Sequence, residues 1–268
     1  MALEKRNAPI LNLTLLDLLN DWVIATDSFL TTGSVNKVDE LTKKEITKVL
    51  ALTKGSDNFF KNLERLVNNL KMFHSSINTA RGNKLNEYII NILENLNELN
   101  QINQKYLKNK RIKPFIEIID KIKAEFKEYS TMETDKIKNY FQVLKWCEQN
   151  NFIQQALVIL RENLISFVLE QKGYNVNNKR YRKDISYALN FLSNEDFEDN
   201  KCINEDFYCE IKDYIKNNLS YLPQLFSGVG DIRNDISHFG LTDSPISNPD
   251  KFRRKLKTFI KKTERLLI

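Results

Sequence analysis

Apolar residues recur along this 268-residue chain at spacings of three and four, the mark of amphipathic helices rather than strands. Leu15, Leu16, Leu18, Leu19, Trp22, Val23, Ala25 and Phe29 give residues 13–30 a broad apolar face, and Thr31-Thr32-Gly33-Ser34 reads as its stop. A second helix is expected over 39–52. Phe59, Leu63, Leu66, Leu70, Phe73 and Ile77 then alternate by four and three, as do Leu85, Ile89, Ile92, Leu96 and Leu99. The polar break at 78–83 is short, so residues 58–104 are expected to form a long antiparallel helical hairpin with a coiled-coil-like seam.

Pro114 opens a helix expected to reach residue 129, as proline is tolerated in a first turn. Helices over 131–149 and 151–171 follow. The second is apolar around nearly its whole circumference and should be central and buried. Arg161 and Glu162 interrupt it and are expected to form a structural ion pair, with Glu162 also placed to support a site above it. A polar, basic loop at 175–183 leads into a helix over 184–192, and another helix spans 205–218. Residues 219–225 read as a short turn around Pro223. A further helix opens at Gly228 and runs to His238, where Phe239-Gly240 ends it. A last, strongly basic helix covers 250–267. No strand alternation or βαβ unit stands out, so the fold class is all-α: a helical bundle with a helical extension over 1–131 and a C-terminal helical domain over 132–268.

Composition narrows this only slightly. Just 7 Gly and 5 Pro leave few breaks. Against 35 acidic residues stand 41 basic ones, giving +6 and a pI near 9.0, which permits nucleic-acid binding without requiring it. No run approaches eighteen uncharged apolar residues and no secretory leader is evident, so no membrane association and a cytoplasmic location are expected. Cys147, Cys202 and Cys209 leave at least one thiol without an intrachain partner and lack zinc-site spacing, so neither a metal nor another cofactor is implied.

Candidate chemistry is concentrated in Arg233-Asn234-Asp235-Ile236-Ser237-His238. A histidine exchanges protons near neutral pH. An arginine stays charged and grips phosphate oxygens bidentately, and Asn234 adds an orienting amide. Together these side chains can hold a phosphate and take a proton from a ribose 2′-hydroxyl without a metal. A structural reading also exists, in which Arg233 pairs with Asp231 or Asp235 and His238 merely ends a helix. Asn234 and His238, four apart, share a helix face, whereas Arg233 and His238, five apart, align less well. A two-fold axis pooling residues from two copies would ease that mismatch. His74, on the hairpin, reads as a residue at the edge of the seam. The run Lys179-Arg180-Tyr181-Arg182-Lys183 and the pair Arg253-Arg254 are candidate RNA contacts, though such runs are also ordinary solvated surface.

The Arg-Asn-Asp-Ile-Ser-His segment resembles the R-x4-6-H motif of HEPN-domain ribonucleases. Leu144-Lys145-Trp146-Cys147-Glu148, Gln154-Gln155-Ala156-Leu157 and Arg161-Glu162 resemble the helix pair that opens the HEPN domain of nucleases associated with type III CRISPR systems. Phe29-Leu30-Thr31-Thr32-Gly33-Ser34 resembles the helical region before that pair. The resemblance implies a HEPN-like core over 132–268, with Arg233 and His238 as the catalytic pair and Asn234 beside them. It implies a homodimer acting on single-stranded RNA in antiviral defence. Those nucleases also carry a CARF domain that senses cyclic oligoadenylate. No such domain is readable here, so that sensing is expected from a separate domain or partner. Two other readings stay open: a non-catalytic helical module that binds RNA or protein, and a HEPN toxin silenced by an antitoxin.

Overall fold

The computed structural model describes residues 14–52, 57–106, 113–132, 136–194, 202–246 and 248–267. Residues 195–201, in the connection between the helices expected over 184–192 and 205–218, and the residues before 14 lie outside them. Among the described residues there are eleven helices and no strand, so the chain is all-α. The helices are α1 (Thr14–Thr32), α2 (Asn36–Leu52), α3 (Asn58–Asn78), α4 (Leu85–Tyr106), α5 (Lys113–Phe126), α6 (Lys136–Gln149), α7 (Ile153–Gln171), α8 (Lys179–Ser193), α9 (Glu205–Asn218), α10 (Leu222–Ser237) and α11 (Asp250–Leu267). No described helix is long and apolar enough to cross a membrane.

Contacts divide the chain into two compact units, and the division does not follow chain order. One takes in the residues to His74 together with Ile90–Lys127; the other takes in Ser75–Ile89 and Glu128–Ile268. The expected split after residue 131 differs from this, because the tip of the helical hairpin clusters with the C-terminal helices.

In the first unit, α1 packs on α2 and α5. Trp22, Ala25 and Phe29 are buried, whereas Leu16, Leu19 and Val23 on the same helix are exposed. The apolar face read from α1 is therefore only partly covered. The heptad positions behave as their spacing predicts: Phe59, Leu63, Leu66, Leu70 and Phe73 on α3, and Ile92, Leu96 and Leu99 on α4, are all buried. Asn69 Nδ2 donates to Asn95 Oδ1 across the two helices at 3.1 Å. Asp39 accepts from Lys43 and Lys71, each at 2.9 Å, tying α2 to α3. His74 is half-buried. Burial pushes its imidazole below the ordinary histidine range, with a smaller opposing effect from a backbone hydrogen bond with Gly33.

In the second unit α7 is the central element, packed against α6, α8, α10 and α11. Ala156, Leu157, Leu160, Leu164, Val168 and Leu169 on it are buried, as its apolar circumference predicts. Asn139 on α6 is fully buried and binds the hairpin tip. Its Nδ2 donates to Asn86 Oδ1 at 2.7 Å and Ser130 O at 2.8 Å, and its Oδ1 accepts from the Ser130 N–H at 2.7 Å. Tyr140, one residue on, donates its hydroxyl to Gly82 O at 2.8 Å.

Two helix boundaries correct the sequence reading. The turn expected at 219–225 and the helix expected from Gly228 form the single helix α10. Pro223 sits in its first turn, where a missing N–H does no harm, and Gly228 and Gly230 lie within it. Gly228 is a packing position: a Cβ there would lie 3.3 Å from the Phe259 ring of α11, which sets close packing against the cost of about 1 kcal/mol for a helical glycine. A Cβ on Gly230 would meet Arg161 Nη1 at an ordinary contact distance of 3.6 Å. The basic stretch expected as a loop at 175–183 is instead the first turn of α8 from Lys179 onward. Asn178 caps it, its side chain accepting from the N–H groups of Arg180 and Tyr181.

Removing the Asn139 amide breaks three hydrogen bonds, one to buried Asn86 and two to the half-buried Ser130 backbone. Asn139→Leu is expected to lower stability by about 2–4 kcal/mol, read as a lower midpoint in urea denaturation. The buried, neutral form of His74 sets a second expectation. Its folded pKa is depressed, so the unfolded chain binds more protons, and stability falls as pH drops through the unfolded value of about 6.5. Thermal melts at pH 7.5 and 5.5 should show a smaller pH-dependent loss for His74→Gln than for the wild type.

Candidate active site

The segment Arg233–His238 forms the last turn and cap of α10. Ser237 is the last helical residue and His238 the C-cap, its N–H still donating to Asn234 O at 2.8 Å. The Gly240 N–H then reaches back to Asp235 O at 2.8 Å and the Phe239 N–H to Ile236 O at 3.1 Å, the paired bonds of a Schellman ending. That ending needs left-handed backbone after the cap, and Phe239 supplies it at φ +56°, followed by Gly240 at φ +73°. A bulky residue at such an angle is uncommon. Phe239 is also 93% exposed, and Leu241 is 84% exposed.

Asp235, inside the segment, points the other way. It is buried and accepts from the Ile246 N–H at 2.8 Å and from Thr242 Oγ1 at 3.3 Å. It pins the stretch that follows the cap and forms no ion pair with Arg233. Arg233 is half-buried. Its Nη2 donates to Asn234 Oδ1 at 3.1 Å, and its Nε is buried with no hydrogen-bond partner. His238 is exposed, and its ring makes no hydrogen bond with either neighbour of the motif. The segment thus joins Arg233 to Asn234 within one protomer and leaves the imidazole apart, facing solvent.

Arg161 is the residue that spacing alone missed. Its guanidinium lies 4.3 Å from the centre of the Phe226 ring of α10, and its Nη2 is 3.4 Å from Ser186 Oγ of α8. Burial lowers its pKa first, and the positive charge of Arg233 lowers it further, against a smaller opposing effect of Glu162. The expected ion pair with Glu162 is not formed: Glu162 Oε2 pairs with Arg182 Nη2 at 2.6 Å. Two guanidiniums therefore influence one another where α7 meets α10, and neither has a carboxylate bound to it. Two like charges in such a place repel one another, an effect that an anion would relieve. The clue in the sequence was a charged residue interrupting the apolar circumference of α7.

The candidate RNA contacts divide. Arg182 is a structural residue, bound to Glu162, Ser166 Oγ at 2.8 Å and Val176 O at 2.9 Å, and so is not available to a nucleic acid. Arg253 is engaged as well, its Nε donating to Glu148 Oε1 at 2.9 Å. Lys179, Arg180, Lys183 and Arg254 are exposed. Lys183 lies 5.5 Å from the centre of the Tyr187 ring. Tyr181, the aromatic residue of that run, stacks on Phe207 with ring centres 4.1 Å apart. Among the described residues no group of three or more His, Cys, Asp or Glu is placed to hold a metal ion.

No protein-family model matches this chain, and no curated protein matches it.

Asp235→Ala removes the carboxylate that holds the loop after α10. It is expected to lower stability by about 1–3 kcal/mol and to speed hydrogen exchange at the Ile246 amide. Both can be followed in one native-state exchange experiment.

Proposed function

We propose that this chain is a metal-independent endoribonuclease acting on single-stranded RNA. The observation that carries the reading is the Arg161–Arg233 pair, two guanidiniums with no bound carboxylate, the second of them on a helix that also ends in an exposed imidazole. A phosphodiester fits that pair. The 2′-hydroxyl attacks the adjacent phosphorus while a His238 imidazole takes its proton. The bond from phosphorus to the 5′-oxygen breaks, and that oxygen leaves as a hydroxyl after receiving a proton. The products are a 2′,3′-cyclic phosphate and a 5′-hydroxyl end. Arg233 holds the charge that builds on the non-bridging oxygens, the kind of stabilisation that gives the largest catalytic effects. Arg161, fixed over Phe226, supports it from beneath, and Asn234 orients Arg233 through their hydrogen bond.

The site is proposed to be completed in a homodimer. Arg233 and His238 share no bond within one protomer, and Phe239 and Leu241 present apolar surface beside the imidazole that a second copy would cover. The resemblance to HEPN nucleases supports a role in CRISPR-linked antiviral defence, under a separate cyclic-oligoadenylate-sensing domain or partner.

His238→Ala and Arg233→Ala are each expected to reduce cleavage of a labelled RNA oligonucleotide in EDTA by at least about 100-fold, with helicity unchanged by circular dichroism. If two copies pool their residues, mixing and refolding the two inactive variants together restores part of the activity. Undiminished cleavage by His238→Ala would overturn the proposal, as would equal cleavage of DNA, which lacks the attacking hydroxyl.

A further inference from the structure

A separate cavity of about 370 Å3 opens in the second unit, between the hairpin tip, α6, α7 and the start of α8. It shares no residue with Arg233, Asn234 or His238. Its size falls in the range of small-molecule sites, which run from about 300 to 1,000 Å3. The walls are mostly apolar, from residues such as Val158 and Ile159, with Tyr140 alongside, its ring centre 5.8 Å from Lys136 Nζ. Asn83, Asn177 and Ser166 add polar groups, and the most buried polar residue of the lining is Asn163. It comes from the middle of α7, is only 8% exposed, lines this cavity, and its side-chain amide makes no hydrogen bond. With no partner inside the protein, this amide is available to hydrogen-bond an occupant of the cavity.

The properties of that occupant follow from the walls. A primary amide offers one acceptor and two donors in a plane, which match the paired donor and acceptor on the edge of a nucleobase. An aliphatic ligand would leave them unmet. Tyr140 gives an aromatic wall for a flat ring. At the rim, Lys136 and Lys179 carry positive charge, while Glu170 carries the opposite sign and the Glu162–Arg182 pair is neutral in sum. Two lysines against one free carboxylate favour an anionic group outside the cavity.

We propose that this cavity binds a nucleotide, its base seated against Tyr140 and hydrogen-bonded by Asn163, its phosphate at Lys136 and Lys179. The same chemistry has two sources, a free mononucleotide or one nucleotide of a single-stranded RNA, and the experiment separates them.

Isothermal titration calorimetry would be run on the full chain with AMP, GMP, CMP and UMP in turn, with a non-cleavable single-stranded oligonucleotide, and with inorganic phosphate. At least one mononucleotide is expected to bind saturably. Asn163→Leu should weaken it by about tenfold or more, while Lys216→Ala, exposed on α9 and outside the cavity, binds as the wild type does. Lys136→Glu with Lys179→Glu, both away from the core, gives a second variant in case Asn163→Leu disturbs folding; it should weaken nucleotides and spare the bare nucleosides. Binding of the oligonucleotide alone, lost in both variants, would assign the site to a nucleotide of the RNA strand. No saturable binding of any nucleotide or oligonucleotide would overturn the proposal. So would phosphate binding as tightly as the nucleotides, or binding indifferent to both variants. Because the cavity and the α10 segment share no residue, loss of RNA cleavage and loss of nucleotide binding are separate outcomes.

Discussion

The end of α10 depends on a carboxylate that is buried without a cation. Asp235 lies within the Arg-Asn-Asp-Ile-Ser-His segment, yet its oxygens face inward and hold Ile246 N–H and Thr242 Oγ1. A desolvated charge is tolerated only where hydrogen bonds replace lost water, and backbone N–H groups do so when the loop adopts one conformation. That single conformation sets where the chain leaves the helix. It leaves Arg233 unneutralised by its neighbour two residues on, and puts His238 at the cap. Asp184 repeats the device at the other end of the second unit. It is fully buried on α8 and accepts from the N–H groups of Ile203 at 2.6 Å and Asn204 at 3.1 Å, just ahead of α9.

The second organising feature is the central helix α7, whose few polar residues each meet a different environment. Arg161 faces α10 and α8, Glu162 holds Arg182, and Asn163 lines the cavity. Three consecutive residues on a helix point about 100° apart, so one short stretch serves three surfaces. The proposed anion site and the proposed nucleotide cavity are thus built from adjacent positions of one rigid element.

Much of the helical order was legible because periodic burial decides it. The alternation through Phe59, Leu63, Leu66 and Leu70 corresponds to α3, and residues 205–218 and 250–267 match α9 and α11. Where tertiary contacts override local preference, the reading fell short. Gly228 and Gly230 look like a helix start but sit inside α10, and the close contact at Gly228 comes from Phe259, distant in the chain. The beginning of α8 was hidden because Asn178, its cap, stands in a run of polar residues that also suits a loop. The site was legible in its residues and less so in its pairings. Arg161 and Glu162 are adjacent, but neighbours on a helix diverge, and each found its contacts on other helices. The cavity lay beyond reach, because its walls join segments some eighty residues apart.

Phe239 gives the molecule an unusual expense. At φ +56° a residue with a Cβ gives up about 1–2 kcal/mol relative to glycine, and this one also leaves an aromatic ring 93% in water. Neither burden returns anything to the folded monomer. A lineage judged on thermal robustness alone would drift toward glycine here, so persistence of an aromatic at this position among related chains would be a signature of selection acting on what the ring meets outside its own fold.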